Sequence, residues 1–145
     1  MPELRPYYAT RQGAAYLGDA LELLRSVPDG SVNLIMTSPP FALAHRKEYG
    51  NPPPERYVEW FMRFVPEFKR VLASDGSLVI HIGGSWVRGE PRKSLYNFEL
   101  LLALSEELVF IQDFYWYNPA RLPAPAEWVC RRRIRVKDAV DPIWW

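Results

Sequence analysis

The run Val32-Asn-Leu-Ile-Met-Thr37 stops at Ser38-Pro39-Pro40, and this junction constrains the fold more than any other stretch of the chain. A short apolar run of this kind reads as a strand buried in a parallel sheet. Neither proline can donate to a sheet ladder, so the strand must end where they begin. Leu78-Val-Ile-His-Ile82 has the same character and ends at Gly83-Gly84, where the backbone can turn sharply or approach a ligand. Between the two, Val58, Phe61, Val65, Phe68 and Leu72 recur at helical spacing after Pro52–Pro54, with Ser74-Asp75-Gly76 as the stop. Pro66 falls inside this pattern and predicts a kink or break costing roughly 3 kcal/mol unless packing absorbs it. Strand, helix and strand in this order predict βαβ units with right-handed crossovers, hence an α/β sheet with helices on both faces.

The flanking segments fit the same plan. Residues 14–17 read as a short strand, followed by Gly18-Asp19 and a helix over 20–25 that stops near Pro28-Asp29-Gly30. Ser94 has the character of an N-cap for a helix to about Glu107, with Leu95, Phe98, Leu102 and Leu108 on one face. Phe110–Tyr117 is β-prone and ends at Asn118-Pro119, and Ala139–Trp145 reads as a further strand. The polar stretch from His45 to Pro54 is longer than a tight connection requires, a length often found in lids. A chain of 145 residues makes about one domain. Its last residues, Trp144-Trp145, end an apolar strand without a turn or polar tail, so the sequence reads as cut short.

Composition removes several classes. With 48% hydrophobic and 24% charged residues the chain is too apolar for disorder, and its apolar runs are too short to span a membrane. One cysteine, Cys130, and two histidines, His45 and His81, cannot supply the usual four ligands of a structural zinc site, and no metal is expected. The first residues lack an apolar export signal, which makes the cytoplasm the expected location. Net charge is only +1, but Arg131, Arg132, Arg133, Arg135 and Lys137 form a basic run without an acid, and Arg46-Lys47 a smaller one. Both are candidate phosphate contacts, and both read equally well as solvated faces.

The strand-ending Ser38-Pro39-Pro40-Phe41 is the strongest candidate site, because ligands of open α/β sheets bind outside the carboxyl ends of strands. The two prolines fix the backbone, so the Ser38 hydroxyl and the Pro39 carbonyl form a rigid pair of acceptors, with Phe41 as a flat apolar face beside them. Two acceptors and a ring suit a planar group that carries an exocyclic amine. The bland reading is a polyproline turn after a strand. By average residue frequencies, Ser-Pro-Pro-aromatic arises by chance in only about 0.2% of chains this long.

At these residues the chain resembles the amino-group DNA methyltransferases, and within them the cytosine-N4 enzymes of the PvuII type. The resemblance runs through Gly18–Leu24, Met36-Thr-Ser-Pro-Pro-Phe-Ala-Leu43, Lys47–Asn51, Tyr96-Asn-Phe98, Phe114–Pro119, Glu127-Trp-Val129 and Ile134–Val140. It implies a partial Rossmann-like, S-adenosylmethionine-dependent methyltransferase sheet. It also implies transfer of a methyl group to the N4 amine of a flipped cytosine in double-stranded DNA of a prokaryotic restriction-modification system. Ser38, Pro39, Pro40 and Phe41 take the family's catalytic motif. Asp19 resembles its acidic residue near the cofactor adenine, with an N-cap reading alongside. Trp116, Asn118 and Pro119 match its pocket wall, with core packing as the alternative. His81 departs from the pattern, since the family has an acidic or amide residue there. A proton acceptor and a packed strand histidine are its two readings.

The family's Phe-x-Gly-x-Gly loop for the cofactor does not occur in these 145 residues. The expectation is therefore the N-terminal catalytic part, residues 1–145, of an N4/N6 DNA methylase domain of permuted order, with target-recognition and cofactor-loop segments elsewhere. The strand at 32–37 would then have an open edge, the isolated chain would be inactive, and a complementary chain carrying the loop is a conceivable partner. An adenine-N6 methyltransferase half and a DNA-binding module without catalysis remain as alternatives.

Overall fold

The computed structural model describes residues 5–43, 47, 48 and 50–145. The chain forms two compact units, residues 1–35 with 64–77 and residues 36–63 with 78–145. In the first, Tyr8–Thr10 (β1) and Gly13–Ala15 (β2) pair antiparallel across a tight turn. This replaces the single strand expected at 14–17. The turn signal lies in Thr10, whose hydroxyl donates to the Gly13 carbonyl and accepts from the Gln12 N–H. Ala20–Leu24 (α1) follows as expected, capped by Asp19.

Arg70 organises this unit. It sits in Val65–Val71 (α3), whose buried face is Val65, Phe68 and Val71. Its guanidinium donates to the Leu24 carbonyl at 2.7 Å, to the Val27 carbonyl at 2.8 Å and to Glu67 at 2.8 Å, and it pairs closely with Asp29. The last turn of α1 thereby has carbonyl partners that the helix itself cannot supply. Gly30, at φ 61°, turns its N–H to the Arg70 carbonyl at 2.9 Å in a conformation that favours glycine.

The second unit is built on Pro54–Met62 (α2) and Tyr96–Ser105 (α4), which pack together through Tyr57, Phe61, Tyr96, Leu100 and Leu104, all buried. The Tyr57 and Tyr96 rings meet edge to face, 4.7 Å between centroids. The break predicted at Pro66 is present: α2 ends at Met62 and α3 starts at Val65 with the proline in its first turn, where a missing N–H costs nothing. Two expectations fail here. Ser94 is not the cap of α4, although its Oγ accepts from the Tyr96 N–H at 3.4 Å. The helix also turns the other way: Leu95, Phe98 and Leu102 are exposed, while Tyr96, Asn97, Leu100 and Leu104 are buried. A helix leucine-rich on every side offers no periodicity to choose a face, and Tyr96 decides it by reaching the Gly83 carbonyl.

Val32–Thr37 (β3), Leu72–His81 (β4), Asp113–Tyr117 (β5) and Val140–Trp144 (β6) form one sheet in the order β3-β4-β6-β5. β6 lies antiparallel to both β4 and β5, so β4 and β5, joined through α4, run the same way with β6 between them. β4 starts at Leu72 and takes in Ser74-Asp75-Gly76, which the sequence reads as a helix stop, while β5 begins three residues later than expected. The strand at 32–37 has the expected bounds but is not fully buried. It is an edge of the sheet, with Leu34 56% and Met36 70% exposed. Among the described residues no helix is long and apolar enough to cross a membrane.

Because Leu100 is fully buried between the packed helices, Leu100→Ala is expected to cost about 2–5 kcal/mol. Urea unfolding followed by circular dichroism checks this: the midpoint falls while the slope stays unchanged.

Candidate active site

The strand ends of the second unit bring together residues far apart in sequence. Ser38 follows β3 and is exposed, whereas Pro39 behind it is buried. Its Oγ lies 3.1 Å from Nδ1 of His81, the last residue of β4. On the far side of the ring, His81 Nε2 is buried without a hydrogen bond and stands 3.8 Å from Oδ2 of Asp141. Asp141 belongs to β6 and is 2% exposed. Arg121 spans both of its oxygens, with Nη1 to Oδ1 at 3.0 Å and Nη2 in close contact with Oδ2. A fork of this type pairs the carboxylate with a guanidinium and fixes its orientation.

Aromatic rings frame the imidazole. Phe41 meets His81 edge to face at 5.6 Å between centroids, and Trp116 of β5 does so at 5.7 Å. Phe41 is half-buried because Gly83 leaves room for it: a Cβ on Gly83 would lie 2.5 and 2.6 Å from two ring carbons and 3.3 Å from Asp141 Oδ1. The glycine pair expected to let backbone approach a ligand thus admits Phe41 at its first member. The Gly83 carbonyl accepts from the Tyr96 hydroxyl, and burial pushes that phenol well above its ordinary range. Among the described residues nothing donates a hydrogen bond to the Pro39 carbonyl. Ser38, Pro39 and Phe41 thus lie just past the end of β3, the first exposed, the second buried and the third half-buried.

The other candidates are scattered. Asp19 caps α1, its Oδ1 accepting from the Leu21 N–H at 2.9 Å and the Glu22 N–H at 3.2 Å, which is the N-cap reading. Asn118 holds a turn by accepting from the Ala120 N–H at 3.1 Å. Arg46 and His45 lie outside the described residues. The Lys47 N–H donates to Asn51 Oδ1 at 2.6 Å, which ties down the described part of that loop.

Much of the basic run is already engaged. Arg131 and Arg132 share Glu127 at 3.0 and 2.9 Å, and their hydrogen bonds, that of Arg132 foremost, hold its carboxyl below the usual range. Arg135 lies over the Trp86 ring at 3.2 Å. Lys137 gives its ammonium to the Pro119 and Arg121 carbonyls at 2.8 and 3.1 Å. Among these, Arg133 stands in a left-handed turn at φ 55°. No group of three or more metal-ligating side chains occurs among the described residues.

Neither Asp141 nor Arg121 belongs to a motif in the sequence. For Asp141 a signal existed, since one carboxylate in the apolar run Val140-Asp-Pro-Ile-Trp144 must find a cation if that run is buried. Arg121 carries no such mark.

Comparison with known proteins agrees with this geometry. The N6/N4 DNA methylase family matches residues 32–145. Type II methyltransferase M.PvuII of Proteus hauseri is 50% identical over 143 residues, which cover 97% of this chain and 43% of that protein. M.SfiI of Streptomyces fimbriatus is 33% identical over 132 residues, 77% of this chain and 31% of its own. Among solved structures, the cytosine-N4-specific PvuII DNA methyltransferase matches with a TM-score of 0.84 at 50% identity, over 97% of this chain and 50% of its own. A DNA modification methylase of Thermus thermophilus, described as putative and solved with S-adenosyl-L-methionine, matches with a TM-score of 0.62 at 26% identity, over 88% and 50%. The chain thus spans less than half the length of these curated relatives. The family match begins with the first residue of β3 and runs through Ser38, His81 and Asp141 to the last residue, and the chain belongs to the N6/N4 DNA methylase family.

Proposed function

We propose that this chain is the base-holding part of a DNA methyltransferase that modifies the N4 amine of cytosine in double-stranded DNA, in the cytoplasm of a prokaryote. The observation that carries the reading is the exposed Ser38 hydroxyl beside the Pro39 carbonyl, to which no described group donates, at the end of β3. Its background is 50% identity to a relative named as cytosine-N4-specific. Ser38 Oγ and the Pro39 carbonyl accept the two N–H bonds of the amine and draw the nitrogen lone pair out of conjugation with the ring. Pro39 and Pro40 keep these acceptors from relaxing. Phe41 stacks on the extruded base and offsets part of the few kcal/mol spent on unstacking it.

S-adenosylmethionine supplies the electrophilic methyl group. The described residues fit the amine side of such a transfer, with two fixed acceptors and a proton-accepting imidazole close by. Toward the cofactor they offer Asp19, whose Oδ1 is engaged in capping α1. A glycine loop of the Phe-x-Gly-x-Gly type would come from a complementary segment or chain. Calorimetric titration of these 145 residues with S-adenosylmethionine is accordingly expected to show no specific binding, and tight binding would contradict this division of labour. The basic residues 131–137 with Lys47 and Arg46 are proposed to meet DNA phosphates. Those held by Glu127 or by carbonyls must exchange these partners to do so.

The central experiment combines the 145 residues with a chain carrying the glycine loop and identifies the methylated nucleoside after digestion of the DNA. N4-methylcytosine is expected, whereas N6-methyladenine would mark the adenine enzyme, and salt-dependent DNA binding without transfer would mark a binding module. Ser38→Ala is expected to lower transfer about 10²–10³-fold with the fold intact, and wild-type turnover would remove the amine-holding role. In Gly83→Ala the new methyl group displaces the Phe41 ring, so activity falls. Phe41→Ala combined with it then costs little more than either change alone, which a double-mutant cycle measures.

A further inference from the structure

Ser38 Oγ and His81 Nδ1, 3.1 Å apart, share one proton between them, and the far side of the ring decides whose it is. If Nδ1 carries the hydrogen, Nε2 turns a lone pair toward Asp141. If Nε2 carries it, the N–H dipole faces the carboxylate 3.8 Å away. Asp141 is buried and forked by Arg121, so the first arrangement sets a lone pair against a negative charge and the second is attractive. The other groups around the ring do not reverse this preference. Phe41 and Trp116 stand nearly perpendicular to the ring and bring no charge to it, Tyr96 is a neutral phenol donating to Gly83, and Arg121 is paired with Asp141. Nδ1 is then an acceptor, and the Ser38 hydroxyl must point its hydrogen at it.

We propose that Asp141, His81 and Ser38 form a proton-accepting relay in which Asp141 fixes the tautomer of His81 and His81 orients the Ser38 hydroxyl. The second half of the inference rests on the methyltransferase reading. With its own hydrogen committed to His81, Ser38 turns only lone pairs to the substrate amine. A free hydroxyl could instead rotate and donate to the amine nitrogen, tying up the lone pair that must attack. Once the nitrogen has taken a methyl group from a sulfonium donor it carries a positive charge and one proton too many. That N–H bond breaks toward Ser38 Oγ as the old Ser38 O–H bond breaks toward His81 Nδ1. The serine ends as it began, and the charge rests on an imidazolium facing Asp141 until solvent takes the proton. His81 is therefore a positioning residue that acts through Ser38.

The arrangement resembles a nucleophilic serine site but lacks one part. The positions following Ser38 are Pro39 and Pro40, which have no N–H with which to stabilise an oxyanion. The activated hydroxyl serves as an acceptor and conduit, and a fluorophosphonate probe is expected to leave Ser38 unlabelled.

The test reads the imidazole directly. Replacing the only other histidine, His45→Gln, leaves His81 alone in the chain, and nitrogen-detected NMR of the ¹⁵N-histidine-labelled protein reports which ring nitrogen bears the proton. The expected result is a neutral ring protonated at Nε2, with Ser38→Ala altering the Nδ1 resonance and leaving Nε2 protonated. A ring protonated at Nδ1, or an Nδ1 resonance indifferent to Ser38→Ala, overturns the relay. In the assembled enzyme, the acid limb of the pH–rate profile should coincide with the His81 titration seen by NMR, disappear in His81→Gln, and move to lower pH in His81→Asp. An acid limb unchanged in His81→Gln also overturns the relay. If the NMR result is as expected but no base is methylated, the orientation of Ser38 by His81 stands and the methyltransferase reading fails.

Discussion

The Arg121–Asp141 pair is the interaction on which the second unit depends. A carboxylate at 2% exposure in the middle of a sheet is costly unless a cation meets it, and Arg121 covers both of its oxygens. Removing the cation of such a pair typically costs about 3–5 kcal/mol, because the carboxylate is left buried and charged, whereas Arg121 itself is 28% exposed. The pair joins the loop after β5 to β6. The same carboxylate lies 3.3 Å from where a Cβ on Gly83 would stand and 3.8 Å from His81 Nε2, so one charge borders both the glycine that admits Phe41 and the imidazole beside Ser38.

Around this charge, each surrounding group has a specific physical reason to be what it is. Gly83 is small because Phe41 fills the space above it, and its carbonyl is free of the sheet and taken by Tyr96. Pro142 sits next to Asp141 in a strand flanked on both sides, where a proline is rarely found, yet its carbonyl still accepts the Ile82 N–H at 3.1 Å. The pairing of β6 with β4 is short, Ile80 with Trp144 and His81 with Ile143, so little ladder is lost by the missing N–H.

What the sequence makes legible is whatever chemistry is local. The Ser38-Pro39-Pro40 stop ends β3 where backbone chemistry demands, and the break near Pro66 follows from the ring's missing N–H. The proposed acceptor pair and Phe41 are local in the same sense, since four consecutive residues carry the motif. The α4 face could not, because Leu95, Phe98 and Leu102 are as apolar as the residues that are buried, and the long-range contacts of Tyr96 with Tyr57 and Gly83 break the tie. The relay partners are separated by most of the chain, and no spacing rule connects Ser38, His81, Arg121 and Asp141. The basic run is legible as charge, while the partners of its side chains are not. Of five cations in seven residues, Arg131 and Arg132 pair with Glu127 just ahead of them and Lys137 folds back onto carbonyls.

The edge-on packing of Trp116 against His81 has an optical consequence. An indole packed beside an imidazole senses the charge that appears when the imidazole takes a proton, because a nearby cation shifts and quenches its excited state. Trp116, one of six tryptophans, is thus placed to report on the protonation of its neighbour, its share of the emission being the part lost in Trp116→Phe.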